Sequence, residues 1–299
     1  MGDCDLTYDF RELRPFVEKL DDGSEFVMGS RFKGSIEPDA MPRLHRYFGT
    51  PVTTFILNSI YGSCYSDIHC GMRALTREAL VRLQLTSQSW EYASEMILKS
   101  ARLKLRAAEV PVRFYKDRQG RVSHHKRSGW LSPWFAGWIN LKVMFLYAAD
   151  FFLVRPGAAL FLLGLLLAAS LVAGPYSLGG FDLNLHSMLL GVTLTTLGYG
   201  AVQMGVLARS YYNFDPEWRR LAARLWTYDR GVLVAAAVTG LGLILDGAVL
   251  WQWVHEGLLL HEISYSGVFG LLLLLLGFQT FTFTLFFHII NLGHERQAR

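Results

Sequence analysis

The sequence predicts an α/β domain, then a juxtamembrane interfacial amphipathic helix, then an all-α membrane domain of four crossings. Hydrophobic residues make up 52% of the 299 and charged residues 18%, with a mean hydropathy of +0.25, against about 25% charged in ordinary soluble domains. The charge is also unevenly spread, since residues 1–155 hold 22 of the 29 Lys and Arg and 17 of the 25 Asp and Glu. Helix-like and strand-like segments alternate through residues 1–128, whereas four later segments stay apolar for the length of a bilayer crossing. Disorder, collagen and coiled coil need other biases and are excluded.

Within residues 1–128, Asp9 is placed to cap a helix with apolar positions Phe10, Leu13, Phe16, Val17 and Leu20. The turn Asp21-Asp22-Gly23-Ser24 leads into a short strand over residues 25–28. A helix over 44–61 follows, then a loop or strand at 67–75, helices over 76–83 and 91–103, and a strand over 107–115. Such alternation predicts a largely parallel sheet.

Residues 129–155 read as the juxtamembrane helix. The run 134–154 is long enough to span but contains Lys142 and Asp150, and a fifth crossing would put the basic stretch Arg113–Arg127 on the opposite side from Arg219 and Arg220. Its Trp130, Trp134, Trp138, Phe145, Tyr147, Phe151 and Phe152 suit the headgroup boundary, where the preceding basic residues meet anionic lipid.

The domain from 156 to 299 holds the crossings, at about 157–174, 185–208, 231–254 and 266–290. Each reaches the roughly 20 apolar residues that cross a ~30 Å hydrocarbon core, and only helices leave no backbone group facing lipid unpaired. The links 175–184 and 255–265 carry no Lys or Arg, while the link between them holds Arg209, Arg219, Arg220, Arg224 and Arg230, and the tail ends with Arg296 and Arg299. Basic loops mark the inside, so an integral multi-pass protein of the plasma (inner) membrane with both termini cytoplasmic is expected. Gly191, Gly198, Gly200 and Gly205 offer a surface for close packing within one chain or between two, which leaves a homo-oligomer open. Asp246 is the one ionisable residue deep in a span, either a functional group or a carboxyl in a wet funnel or bonded to a neighbouring helix. No array of charges resembles an ion pathway.

Several chemistries are absent. Cys4, Cys64 and Cys70 form no CxxC pair, the nine histidines show no HExxH spacing, and a net charge of +4 is too weak and scattered for nucleic acid. The residues after Met1 are acidic, unlike a signal peptide. The sharpest local feature is Asp3-Cys4-Asp5, whose carboxylates can converge on Mg²⁺ or Mn²⁺ together with substrate phosphates, or form no more than a solvated acidic terminus.

In order along the chain, GDCDLTYDF, EFVMGSRFKG, MPRLHRYFGTPVTTFILN, SDIHCGMRAL, WEYASEMI and AAEVPVRF closely resemble family 2 glycosyltransferases of the polyprenyl-phosphate type, similar to dolichol-phosphate mannosyltransferases. The resemblance covers residues 1 to about 150 and rests on the order of several motifs. It implies a GT-A (Rossmann-like) domain that moves a sugar from a nucleotide-sugar donor to polyprenyl phosphate at the cytoplasmic membrane face, with inversion at the sugar carbon and Mg²⁺ or Mn²⁺ as cofactor.

Carried over by residue, Asp3 and Asp5 match the family's DxD, with Asp5 as direct metal ligand and Asp3 nearer the donor nucleotide. Arg31 and Arg46 match the arginines that hold the lipid phosphate or the donor diphosphate, and Thr50, one turn beyond Arg46, adds a hydroxyl. Asp67 matches an active-site acid, assigned here to orientation or electrostatics before base catalysis, and Arg73 braces the same pocket. Thr7 stands where some relatives place an amide ligand, which departs from the pattern. On composition alone Arg31 and Arg46 read as surface arginines, and Glu95 with Lys99 as an ordinary i, i+4 ion pair.

The family's nucleotide-binding half would precede the DxD, yet Met1 stands two residues before Asp3. The expectation is therefore a partial GT-A domain, from a start set at an internal methionine or a genuine truncation, and possible inactivity of the chain alone. The alternative function is a non-catalytic four-helix membrane module that presents or translocates lipid-linked sugars.

Overall fold

The computed structural model describes residues 1–2, 6–87, 91–116, 132–256 and 264–297. The chain divides into two compact units, Met1–Ala148 and Ala149–Arg299.

In the first unit, Asp9 caps a 3-10 turn at Phe10–Leu13 by accepting from the Arg11 N–H, and α1 (Arg14–Asp21) follows with Phe16 fully buried. Gly23 takes a φ of +92° in the turn beyond, a conformation L side chains avoid. Strand β1 (Phe26–Ile36) is longer than the expected 25–28: its first six residues are buried, and its exposed second half still pairs with a neighbour. Polar, solvent-facing residues such as Lys33 hide that half from a hydrophobic pattern. A short π-helical turn, His45–Gly49, runs into α2 (Thr50–Tyr61), which ends on Gly62 at φ +64°. Strand β2 (Arg73–Leu75) precedes α3 (Arg77–Leu83), whose N-cap Thr76 accepts from the Ala79 N–H. Helix α4 (Glu91–Arg102), β3 (Ala107–Phe114) and α5 (Ser132–Tyr147) complete the unit.

The sheet has the order β2-β1-β3, with β1 parallel to β3 and antiparallel to β2. Parallelism is thus confined to one of its two pairings. Helix α5 turns Val143 and Met144 inward, packs on α4, and leaves Trp138, Phe145 and Leu146 exposed beside Lys142. One face is therefore buried against the unit and the other is apolar and open.

In the second unit, four helices are long and apolar enough to cross a membrane. The first, α6 (Ala149–Ser170), begins before the expected 157 and runs through Pro156, so residues 149–155 join it and not the juxtamembrane helix. A two-stranded hairpin, β4 (Tyr176–Leu178) and β5 (Phe181–Leu183), turns on Gly179-Gly180 at φ +57° and +85°. Next come α7 (Leu185–Tyr212), a short α8 (Pro216–Leu225), α9 (Tyr228–His255) and α10 (Tyr265–Gln297). Helix α8 lies in the link read only as basic. Its start signal is local: Asp215 accepts from the Trp218 N–H and Pro216 occupies N1.

Helices α6 and α7 pack closely because glycines face backbone. A Cβ on Gly157 would sit 2.9 Å from the Gly198 carbonyl, and one on Gly191 2.8 Å from the Ala168 nitrogen. The surface offered by Gly191, Gly198 and Gly205 is thus used within the chain. Near the far end of α10, Thr284 accepts from Trp226 Nε1, His288 Nε2 meets the Trp226 carbonyl, and His294 Nε2 meets those of Ser210 and Tyr211. Asp246 lies against Gly270 of α10, with Oδ2 buried and without a hydrogen-bond partner among the described residues.

Candidate active site

The centre of the first unit is the loop between α2 and β2, laid across β1. Contact this close needs Gly29, where a Cβ would come within 2.8 Å of Cys70 Sγ and 3.0 Å of the Met72 carbonyl. Beyond Gly29, β1 delivers Ser30 and Arg31 to the loop. Ser30 Oγ meets Ser66 Oγ at 2.6 Å, and Ser66 donates to Glu109, itself 2.6 Å from Lys33 Nζ.

Asp67 is fully buried and meets Arg31 with both oxygens. Oδ2 accepts from Arg31 Nε at 2.6 Å and from the Arg31 backbone N–H at 3.1 Å, while Oδ1 accepts from Nη2 at 2.8 Å and from the His69 N–H at 3.3 Å. Burial pushes the Asp67 carboxyl upward, but Arg31's hydrogen bonds and charge outweigh it and hold the group below the usual carboxylate range. Burial likewise opposes the Arg31 charge, and Asp67 more than restores it. The Arg31 guanidinium also stacks 5.1 Å from the centre of the Phe114 ring. Expected to hold a phosphate, Arg31 is instead 8% exposed with its fork turned to Asp67, because a buried carboxylate left unpaired is costly.

Arg73 braces the loop. It is 1% exposed and donates from Nε to the Cys70 carbonyl, from Nη1 to that of Ala93 and from Nη2 to that of Ile68. Tyr8 accepts from the Gly71 N–H, and its burial raises the phenol above its ordinary range.

Arg46 stands on the π-helical turn, 5.5 Å from the Tyr47 ring centre, and Thr50 is buried one turn further on. With Thr53 and Leu57 they follow the i, i+4, i+7, i+11 spacing of a single helix face. Thr7 is buried, and its carbonyl accepts from the Tyr115 N–H. Asp3 and Asp5 lie outside the described residues. Among those described, no group of three His, Cys, Asp or Glu gathers as a metal site.

One group here was not singled out from sequence, and another makes more contacts than its sequence reading gave it. His69 Nε2 is buried without a hydrogen-bond partner among the described residues. Burial first, then the charge of Arg31, brings the ring's pKa down to about 4, so it is neutral at physiological pH. Glu95, expected to pair with Lys99, does so at 2.6 Å and also accepts from the Thr86 N–H and hydroxyl, the Ser87 N–H and the Tyr147 hydroxyl. Burial pushes its carboxyl up, but Lys99 and these N–H groups bring it down to about 2. The Lys99 pairing was legible from its i, i+4 spacing, but the other Glu95 partners and the surroundings of His69 come from outside those elements.

Residues 206–291 match the family model described as glycosyltransferase family 2 C-terminal transmembrane region. The chain is 30% identical over 285 residues to the low-salt glycan biosynthesis hexosyltransferase Agl6 of Haloferax volcanii, covering 93% of this chain and 67% of that protein. It is 32% identical over 120 residues to a dolichyl-phosphate hexose transferase of the same organism, covering 40% of this chain and 50% of the relative. Identity to the UDP-N-acetylglucosamine–dolichyl-phosphate N-acetylglucosaminyltransferase of Methanococcus voltae is 33% over 98 residues, 31% of this chain and 38% of that one. With the α/β unit, the four apolar helices and a match along nearly its whole length, the chain belongs to the family 2 glycosyltransferases of the polyprenyl-phosphate type.

Proposed function

We propose that the protein transfers a sugar from a nucleotide-sugar donor to polyprenyl phosphate at the cytoplasmic face of the membrane. One arrangement supports this best: Asp67, kept ionised by Arg31, shares a unit with the Arg46–Thr50 helix face, in a chain that also carries four spanning helices.

A phosphate monoester with a last pKa near 6 is already largely a dianion at neutral pH, so its oxygen attacks the anomeric carbon without a strong base. That O–C bond forms as the bond to the donor's diphosphate breaks, and the electron pair leaves with the nucleoside diphosphate, inverting the carbon. Arg46 supplies a planar, permanently charged fork matched to the acceptor phosphate, and Thr50 a hydroxyl. Asp67 orients and balances charge, with Arg31 as its positioning partner. A Mg²⁺ or Mn²⁺ ion on Asp5, with Asp3 toward the donor, would neutralise charge on the departing diphosphate.

The test is transfer of labelled sugar from a panel of nucleotide sugars to polyprenyl phosphate in nanodiscs. Transfer is expected to need a divalent cation, to fall at least about 100-fold in Arg46→Ala, the scale of one positioned transition-state donor, and to vanish in Asp5→Ala without loss of membrane insertion. A folded protein that transfers from none of the donors, alone or with added cytosol, would overturn the proposal in favour of a lipid-presenting module.

A further inference from the structure

The hairpin between α6 and α7 has two faces that differ in kind. Its register pairs Tyr176 with Leu183, Ser177 with Asp182 and Leu178 with Phe181. Side chains directly opposite each other share a face and successive ones alternate. Tyr176, Leu178, Phe181 and Leu183 therefore stand together on one side, and Ser177 and Asp182 on the other. The polar side is closed on itself, with the Ser177 hydroxyl donating to Asp182 Oδ1. On the apolar side Tyr176, Leu178 and Phe181 are 38%, 64% and 76% exposed.

Water is a poor neighbour for such a face, and its place in the chain supplies a better one. Only residues 171–175 join the hairpin to α6, and Asn184 alone joins it to α7, so it is held at the bilayer surface where these two spanning helices meet it. Helix α6 turns Gly157, Gly164 and Ala168 to α7 and leaves Leu163 and Leu166 exposed. Ser170 lies seven and four residues beyond those leucines, on the same exposed stripe. Its hydroxyl accepts from that of Tyr176 at 3.0 Å. The apolar face of the hairpin thus begins where the lipid-facing stripe of α6 ends.

Charge and area choose among the occupants. The link 175–184 has no Lys or Arg to attract phosphate headgroups, and uncharged Tyr, Leu and Phe suit the zone where acyl chains meet the glycerol esters. A second copy of the chain fits poorly. Even a large aromatic side chain buries only about 150–250 Å², and three partly covered side chains fall well short of the roughly 800 Å² per partner of a standard interface.

We infer that the hairpin lies flat in the leaflet where α6 ends, with Tyr176, Leu178 and Phe181 among the upper acyl carbons and the Ser177–Asp182 side in water, and that it sets the depth of the close-packed α6–α7 pair. Lying flat also suits the backbone. The outward N–H and C=O groups of a two-stranded hairpin have no partner strand, and in the headgroup layer water meets them.

The test is spin labelling of the whole chain in phosphatidylcholine vesicles. With Cys4, Cys64 and Cys70 replaced by alanine, Ser177→Cys, Leu178→Cys, Phe181→Cys and Asp182→Cys are labelled one at a time and relaxed by oxygen, which collects among acyl chains, or by a water-soluble nickel chelate. Labels at 178 and 181 are expected to respond to oxygen and to lose nearly all response to nickel, and those at 177 and 182 to do the reverse. Nickel response at all four positions would put the hairpin in water and overturn the inference. Loss of both responses at 178 and 181, with mutual broadening of labels at 181, would give the face to a second copy. Insertion that appears only with added phosphatidylglycerol would give it to anionic headgroups. Should the cysteine-free chain lose its native circular dichroism spectrum, Phe181→Trp and Asp182→Trp in the natural chain replace the labels. Lipids brominated on the acyl chain are then expected to quench the added emission of the first variant only, and equal quenching of both, or of neither, sinks the proposal.

Discussion

Asp67 and Arg31, 36 residues apart in sequence, close a two-armed ion pair: Nε to Oδ2 is 2.6 Å and Nη2 to Oδ1 is 2.8 Å. Breaking such a buried pair by removing one member costs about 3–5 kcal/mol, whereas replacing both with apolar residues can be close to neutral. Asp67→Asn and Arg31→Met are therefore each expected to lower the thermal midpoint of the first unit sharply, and Asp67→Leu/Arg31→Met to recover much of it. Transfer activity is expected to stay lost in the double variant. Recovery of activity along with stability would show that the pair is only a structural clasp.

Acid sensitivity follows from several depressed groups, Asp67 among them, and two of these set separate pH windows. His69 is held near 4 against an ordinary 6.5, and Glu95 near 2 against 4.5. Both bind fewer protons folded than unfolded, so stability rises with pH and is lost as pH falls. The His69 share is complete above about 6.5 and drains between about 6.5 and 4, and the Glu95 share drains between about 4.5 and 2. Thermal midpoints in nanodiscs from pH 7.5 to 3 are expected to show both descents. His69→Phe should flatten the upper one and leave the lower, and an unchanged upper descent would remove His69 as its source.

Tyr147 of α5 donates to Glu95 at 2.9 Å, beside Thr86, Ser87 and Lys99. One hydrogen bond is worth about 1 kcal/mol. Tyr147→Phe is expected to lower stability by roughly that much and to speed amide exchange in residues 141–147 before the sheet is affected. Equal exchange across the whole unit would mean that α5 is held elsewhere.

A Cβ on Gly164 would sit 2.7 Å from both the Gly191 carbonyl and Leu194 Cβ, while one on Gly240 would meet nothing within 4 Å. Gly164→Leu is expected to pry α6 from α7 and abolish a defined thermal transition of the second unit, while Gly240→Leu leaves the midpoint within about 2 °C, as for a neutral surface substitution. Equal midpoints for the two would show that the helices part without cost.

The elements most legible in sequence were those whose signals are local. Asp9 caps where expected, the helix expected over 76–83 starts on the Thr76 cap, Gly62 stops α2, and the apolar runs become spanning helices. The Gly179-Gly180 turn and the Asp215-Pro216 start carry equally local signals, which the polarity of the surrounding loops obscured. What local reasoning could not supply was pairing across the fold. Motif order singled out Asp67 and Arg31 separately, yet their union depends on Gly29 letting the loop lie on β1. His69 drew no notice because its distinction, an unpaired buried nitrogen, exists only once Ile68, Leu57 and Ile97 surround it.

Helix α10 has 33 residues, about 50 Å of rod at 1.5 Å each, against a hydrocarbon slab of about 30 Å. Its polar residues His288, Asn291 and His294 begin about 35 Å along it, and through them it grips the ends of the neighbouring helices. A rod with about 20 Å of surplus length can span bilayers several ångströms thicker than the average without its apolar part falling short, so thickness differences between membranes cost this helix little.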